Sequence, residues 1–64
     1  MTTFDLDTTT FATEIAGVCT EYLAECPETF TADQRAMMTY IIANHEMGNM
    51  AKVVNMWNVS GLTY

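Results

Sequence analysis

The segment from Asp7 to Glu28 repeats apolar residues at the three- and four-residue spacing of an amphipathic helix. Seven residues share one side of that helix: Phe11, Ile15, Val18, Cys19, Tyr22, Leu23 and Cys26. A helix with an apolar stripe of this width must bury it against other elements of the fold. The segment therefore predicts a long helix that packs against the rest of a small all-α domain.

The same segment carries a second stripe, which is acidic and lies beside the apolar one. Glu14, Glu21, Glu25 and Glu28 follow one another at spacings of seven, four and three residues. At 100° per residue they fall within about 60° of one another. Asp33, near the start of the next helix, extends the negative charge. We predict that these five carboxylates form a partner-binding surface; the alternative is an ordinary solvated helix face.

The local cost of two of these acids favours the binding interpretation. Glu21 and Glu25 lie one turn apart with the same sign, which is mildly destabilising. Both also lie near the C-terminus of the predicted helix, where an acid opposes the helix dipole. Asp33 differs, because an acid in the first turn of a helix is favoured by the dipole. A local cost without a visible structural gain is typical of a functional surface.

The overall charge indicates which partners to expect. The chain has 64 residues with eight acids against two bases, Arg35 and Lys52, and a formal net charge of -6. Such a protein repels nucleic acid and anionic membranes and attracts basic protein surfaces. Half of the residues are hydrophobic, which argues against disorder and predicts one domain over residues 1–64.

The boundaries of the first helix follow from its flanking residues. Asp7 is the predicted N-cap, and Leu6 before it would pack on Phe11 as a hydrophobic staple. Pro27 disfavours a helical conformation in the residue before it, so the helix should end near Glu25 or Cys26. These signals predict a first helix over residues 8–26.

Two more helices are predicted downstream. Thr31 and Gln34 have the spacing of a capping box, which opens a second helix over 32–47. Gly48 ends it, Asn49 caps the next, and a third helix covers 50–59. The predicted fold is a helical hairpin with a shorter third helix laid across it, and residues 62–64 fold back over the core.

The second helix is apolar over much of its circumference, which predicts that it is the central, most buried element. Methionines are concentrated in and after it: Met37, Met38, Met47, Met50 and Met56. Methionine fills irregular cores and also lines adaptable binding surfaces. A core this small cannot hide all of them, so part of this apolar surface should be exposed or buried in a partner.

No catalytic pattern is visible in the chain. His45 and Glu46 begin like a zinc-protease helix, but Asn49 stands where the second histidine belongs. Cys19 and Cys26 are separated by about 10.5 Å along one helix, too far for a disulfide. We therefore expect a protein without enzymatic activity, bound metal or cofactor. Its thiols should be free, and we expect no signal peptide or membrane span, which predicts a location in the cytoplasm.

In size, acidity, helical pattern and lack of catalytic residues, the chain resembles the small anti-CRISPR proteins of phages and mobile elements. Within that group it is most similar to those acting on type I systems, type I-C included. The likeness covers the whole chain and involves no diagnostic motif, so no residue is carried over by position. The resemblance implies inhibition by occupancy. The inhibitor would cover a basic surface of the Cascade complex, near the subunit that reads the PAM, where target DNA normally binds.

The sequence thus predicts a non-enzymatic inhibitor in the host bacterial cytoplasm. It would act as a DNA mimic on a basic protein surface, without binding nucleic acid or membrane itself, as a monomer or weak dimer. The alternative is a helical interaction or regulatory module, homodimeric in one version, that uses the Met-rich second and third helices as its contact.

Overall fold

The computed structural model describes the backbone of residues 2–63 and the side chains of residues 8–63. Over that span the chain forms three α-helices: α1 (Thr2–Glu25), α2 (Ala32–Glu46) and α3 (Met50–Ser60). A short 3-10 turn, Pro27–Thr29, joins α1 to α2. Each helix packs against the other two. The predicted all-α fold of three helices is confirmed.

The start of α1 differs from the prediction. The helix begins at Thr2, so Asp7 lies inside it and is not its N-cap. No glycine or proline interrupts residues 2–7, and acids in the first turns of a helix are favoured by its dipole. The predicted packing of Leu6 on Phe11 lies outside the described side chains. The other end is as predicted, because α1 stops at Glu25, two residues before Pro27.

The corner between α1 and α2 is held by side chains on both sides. Thr31 and Gln34 form the predicted capping box, in which each side chain bonds the other residue's backbone N–H at 3.1 Å. Arg35 reaches back and donates from Nη1 to the carbonyl oxygens of Pro27, at 3.1 Å, and Phe30, at 2.6 Å. The ring of Phe30 stacks on Tyr22 of α1, with centroids 5.0 Å apart. These contacts fix the direction in which α2 leaves α1.

Hydrogen bonds of Asn44 and Asn49 stabilise the corner between α2 and α3. Gly48 has a left-handed φ of 82°, as its predicted role as a helix stop requires. Asn49 is the N-cap residue of α3, but its side chain makes no capping bond. Instead its Nδ2 donates to Oδ1 of Asn44, which is 5% exposed, and its backbone N–H donates to the Asn44 carbonyl. Asn44 in turn donates to the carbonyl of Tyr40, so this buried amide is bonded on both sides.

The core lies between the three helices and is closed by the C-terminal tail. Its buried apolar residues are Ala12, Ile15, Ala16, Cys19, Met38, Ile41, Val53, Trp57 and Leu62. The apolar stripe predicted for α1 supplies two of them, Ile15 and Cys19, while its larger members are half-buried at the margin. The chain turns at left-handed Gly61, and Leu62 after it is buried in the core, as predicted. Tyr22 Oη donates to the carbonyl of Thr63 at 2.8 Å. Tyr64 lies outside the described residues.

The expectation that α2 is the most buried helix is wrong. One side of it carries buried Met38 and Ile41, but Tyr40 and Met47 on another side are 39% and 66% exposed. Three helices that pack against one another each keep an outer side, and no other element of the described residues covers that of α2. The apolar composition of α2 alone therefore does not predict how deeply the helix is buried.

Candidate protein-binding surface

Three of the predicted partner-binding residues lie together on α1. Glu14, Glu21 and Glu25 are exposed, and the helix is continuous between them. Helical geometry places them within about 40° of one another, over roughly 16.5 Å along the axis. We call these three residues the acidic face. Their steps along the axis are about 10.5 Å and 6 Å, so they form a ridge of separated charges.

Glu28 and Asp33 are not part of that ridge. α1 ends at Glu25 and Glu28 belongs to the 3-10 turn, so extending the wheel of α1 to Glu28 was wrong. Pro27 causes the difference, because it disfavours helical geometry in the preceding residue and redirects the chain. Asp33 lies in the first turn of α2. Both residues are exposed, so they place two further charges around the corner that follows the acidic face.

Two carboxylates at the C-terminal end of α1 are electrostatically unfavourable. Glu21 and Glu25 lie in its last two turns, and the last turn contains no basic residue. Exposed helix carbonyls and the dipole make that end partially negative, so a carboxylate there is unfavourable by about 0.3–1 kcal/mol. Within residues 8–63, neither carboxylate makes a hydrogen bond or ion pair with another side chain. A basic group supplied from outside would relieve this cost.

The two bases of this chain do not offset the unfavourable electrostatics of Glu21 and Glu25 at the end of α1. Arg35 is half-buried and its Nη1 is committed to the carbonyls of Pro27 and Phe30, where it closes the corner. Lys52 is exposed on α3. One of the two bases is thus a structural part of the corner between α1 and α2, a role that sequence spacing did not reveal.

The structure adds a residue that the sequence interpretation missed. Because α1 continues to Thr2, Asp7 lies on the same helix as the acidic face. It is seven residues before Glu14, as Glu14 is seven before Glu21, and two helical turns return to nearly the same side. The heptad spacing of the acidic face therefore continues along the sequence to position 7, whose side chain lies outside the described ones. The assignment of Asp7 as an N-cap concealed this heptad spacing.

The cysteines and the histidine occupy separate positions. Cys19 and Cys26 are free, and burial raises the pKa of the Cys19 thiol to about 11. His45 is half-buried, with Nε2 3.2 Å from Oγ1 of Thr13 on α1. That hydroxyl donates its own proton to the Thr9 carbonyl, so it accepts from His45. His45 therefore links α1 to α2.

The described residues form no metal site, no pocket and no membrane-spanning helix. Within residues 8–63 no three His, Cys, Asp or Glu side chains come together as a metal site would need. No pocket opens on the described part of the surface. None of the helices, in the part of the chain that the structure describes, is both long and apolar enough to cross a bilayer.

The Met-rich surface is smaller than the sequence suggested. Met38 is fully buried, and Met37, Met50 and Met56 are half-buried. Met47 is exposed at the end of α2, one helical turn beyond exposed Ala43 and two beyond Tyr40. On α3 the large exposed apolar residue is Val59, which is 70% exposed. Two of these three large exposed apolar residues, Tyr40 and Met47, thus lie on the outer side of α2 or directly after its last residue.

Comparison with known proteins identifies no relative. No protein family model matches the sequence, and neither a curated protein nor a solved structure matches it.

Proposed function

We propose that this protein is a non-enzymatic inhibitor that binds a basic, nucleic-acid-binding protein surface through the acidic face of α1. The observation that carries the proposal is the position of Glu21 and Glu25, which are exposed in the last two turns of α1 with no base in its last turn. Lys or Arg side chains of a partner would neutralise both carboxylates and compensate the dipole at once. Glu14, Glu28 and Asp33 extend the same negative field.

The mechanism would be occupancy. A net charge of -6 on a chain this small steers it towards a surface that is positively charged because it receives nucleic acid. Once bound, the carboxylates take the place of phosphates at the Lys and Arg residues that would hold DNA. No cofactor, covalent step or turnover is required, and the inhibitor and the nucleic acid exclude each other.

The partner that we propose follows the resemblance to anti-CRISPR proteins. The target would be a subunit of the type I Cascade complex in the bacterial cytoplasm, near the site that reads the PAM. The acidic face has steps of about 10.5 Å and 6 Å, which differ from the even spacing of phosphates along a DNA strand. Mimicry would therefore be of charge density along a ridge, which long, flexible Lys and Arg side chains can meet individually.

A matched pair of substitutions tests this proposal. Glu25 is the last residue of α1 and Glu46 the last residue of α2, and both are exposed. Glu25→Lys and Glu46→Lys therefore change the net charge equally, and each replaces an acid at a helix end; the last turn of α2 differs in that it contains His45. We expect Glu25→Lys to weaken binding to purified type I-C Cascade about tenfold, and Glu21→Lys, Glu25→Lys together about 100-fold or more. Glu46→Lys should change the affinity by less than about twofold to threefold.

The measurement is affinity by biolayer interferometry, with competition against target DNA as the functional readout. A complex held by the acidic face should also weaken steeply as ionic strength rises. Equal losses for Glu25→Lys and Glu46→Lys would show that net charge alone drives the association. Unchanged affinity in the double variant, with a normal melting temperature, would contradict the proposal.

A second candidate function is a helical interaction or regulatory module that uses α2 and α3. The observation that favours it is the apolar area exposed around Tyr40, Met47 and Val59. Its complex would respond little to salt, because apolar contacts are not screened. Loss of partner binding in Met47→Lys, together with full binding in the Glu21→Lys, Glu25→Lys variant, would favour this function over the inhibitor.

A further inference from the structure

The outer side of α2 carries apolar residues at the spacing of a helix–helix contact. Ala36, Tyr40, Ala43 and Met47 follow at intervals of four, three and four residues, which is the seam spacing of paired helices. All four are exposed, Tyr40 by 39% and Met47 by 66%. We call these four residues the outer face of α2, and Met47 is included because this C-cap residue, directly after Glu46, keeps the helical backbone conformation. The three-helix core leaves it uncovered, although its pattern is that of a buried seam.

The sizes of these side chains alternate along the face. Small Ala36 precedes large Tyr40, and small Ala43 precedes large Met47. Two copies of α2 laid antiparallel can therefore be aligned with a large side chain opposite a small one in every layer. In that register Tyr40 packs on the partner's Ala43, and Met47 packs on the partner's Ala36. Such alternation is what interdigitated packing between helices requires.

The acids of α2 do not oppose a second copy at this face. Asp33 and Glu46 lie on opposite flanks of the outer face by helical register. A two-fold axis between antiparallel helices pairs each flank with the same flank of the partner, so Asp33 does not meet the partner's Glu46. The net charge of -6 still repels a second copy, so the contact depends on the packing of the apolar side chains.

We propose that two copies of this chain associate through the outer faces of α2 in an antiparallel, two-fold symmetric contact. The face is about 16.5 Å long and offers less area than the roughly 800 Å² per partner of a standard interface. The dimer is accordingly weak and forms at high protein concentration. It uses α2 alone, so the acidic face on α1 stays accessible in both copies and the proposal does not depend on the function proposed above.

The register can be tested with two variants that repair each other. Ala36→Glu and Met47→Lys each place a charge in the contact, and each should weaken self-association at least about tenfold. In an equimolar mixture, Glu at position 36 of one copy lies opposite Lys at position 47 of the other, so association should return. Sedimentation velocity over a concentration series up to the millimolar range measures all three samples. Circular dichroism and melting temperature establish that each variant is folded.

The design separates a specific contact from a general effect of charge. Ala36→Glu makes the net charge more negative, whereas Met47→Lys brings it closer to zero. If net charge alone governed association, the second variant would associate more strongly than the unaltered protein, which would overturn the proposal. Val59→Lys, at the exposed apolar residue of α3, is the control and should leave association unchanged.

The remaining outcomes are equally decisive. A protein that stays monomeric at every concentration overturns the dimer. Loss of association in Val59→Lys places the contact on α3 and also overturns it. Failure of the mixture to recover association excludes the antiparallel register in which positions 36 and 47 face each other. Loss of Cascade binding in Glu25→Lys has no bearing on any of these results.

Discussion

The exposed sides of α1 and α2 lie on the same core but have contrasting chemistry. The exposed side of α1 is the acidic face, with Glu14, Glu21 and Glu25. The exposed side of α2 is its outer face, which includes Tyr40 and Met47. Each arrangement has a cost, because acids oppose the dipole at the end of α1 and apolar area on α2 remains in water. The packing of the core requires neither the acids on α1 nor the exposed apolar residues on α2. Both surfaces are therefore candidates for binding another protein, by ion pairs on α1 and by apolar packing on α2.

The largest expected effect separates the two sides of α2. Ile41 is fully buried, so Ile41→Ala should lower the free energy of unfolding by about 2–5 kcal/mol. Met47 is 66% exposed, and Met47→Ala should change it by no more than about 0.5 kcal/mol. Urea denaturation of the dilute protein measures both. Similar losses for the two variants would mean that the outer face of α2 belongs to the core.

A second prediction concerns the buried side of α1, which contrasts with its acidic side. Burial raises the pKa of the Cys19 thiol from the ordinary value of 9.0 to about 11. Above pH 9 the unfolded chain ionises at this residue while the folded protein keeps the thiol protonated. The free energy of unfolding should therefore fall as the pH rises from 9 to 11, by up to about 2–3 kcal/mol.

The comparison variant for this prediction is Cys19→Ala, which lacks the thiol. Its free energy of unfolding should depend less on pH over the same interval, and the difference between the two proteins isolates Cys19 from the tyrosines and Lys52. Parallel pH profiles would show that the thiol is solvated. Labelling with a maleimide at neutral pH should likewise modify half-buried Cys26 before Cys19.

The smallest expected effect compares the ends of the two helices directly. Glu25→Lys and Glu46→Lys each replace an acid with a base at a helix C-terminus, so each should raise the free energy of unfolding by about 0.3–1 kcal/mol at low salt. The two gains should be similar and should shrink with added salt. Thermal unfolding at two ionic strengths measures them. Destabilisation by Glu25→Lys would reveal an interaction of Glu25 within the folded chain and weaken the case that its partner lies outside.

The helical elements could be predicted because their signals are local. The capping box at Thr31 and Gln34, the left-handed glycines at 48 and 61, and Pro27 act on residues within one or two turns. Their effect does not depend on what packs nearby. The start of α1 was predicted wrongly because Asp7 matches a capping pattern, while an uninterrupted segment before it continues the helix.

The surfaces could be predicted only in part. Glu14, Glu21 and Glu25 share one side of α1 because helical spacing alone determines their directions. Whether Arg35 would neutralise them could not be read from spacing. It depends on the path of the chain through residues 27–30, because the carbonyl oxygens of Pro27 and Phe30 accept from Nη1 of Arg35.

By itself, the sequence determined that this chain is acidic, helical and divided at residues 26–31 and 47–49, because charge, caps and breakers are properties of single residues and near neighbours. The tertiary structure decided which side of α2 faces outward. α2 is apolar over much of its circumference, so periodicity cannot choose a side; the choice follows from where α1 and α3 pack. That packing buries Met38 and Ile41 and leaves Tyr40 and Met47 exposed.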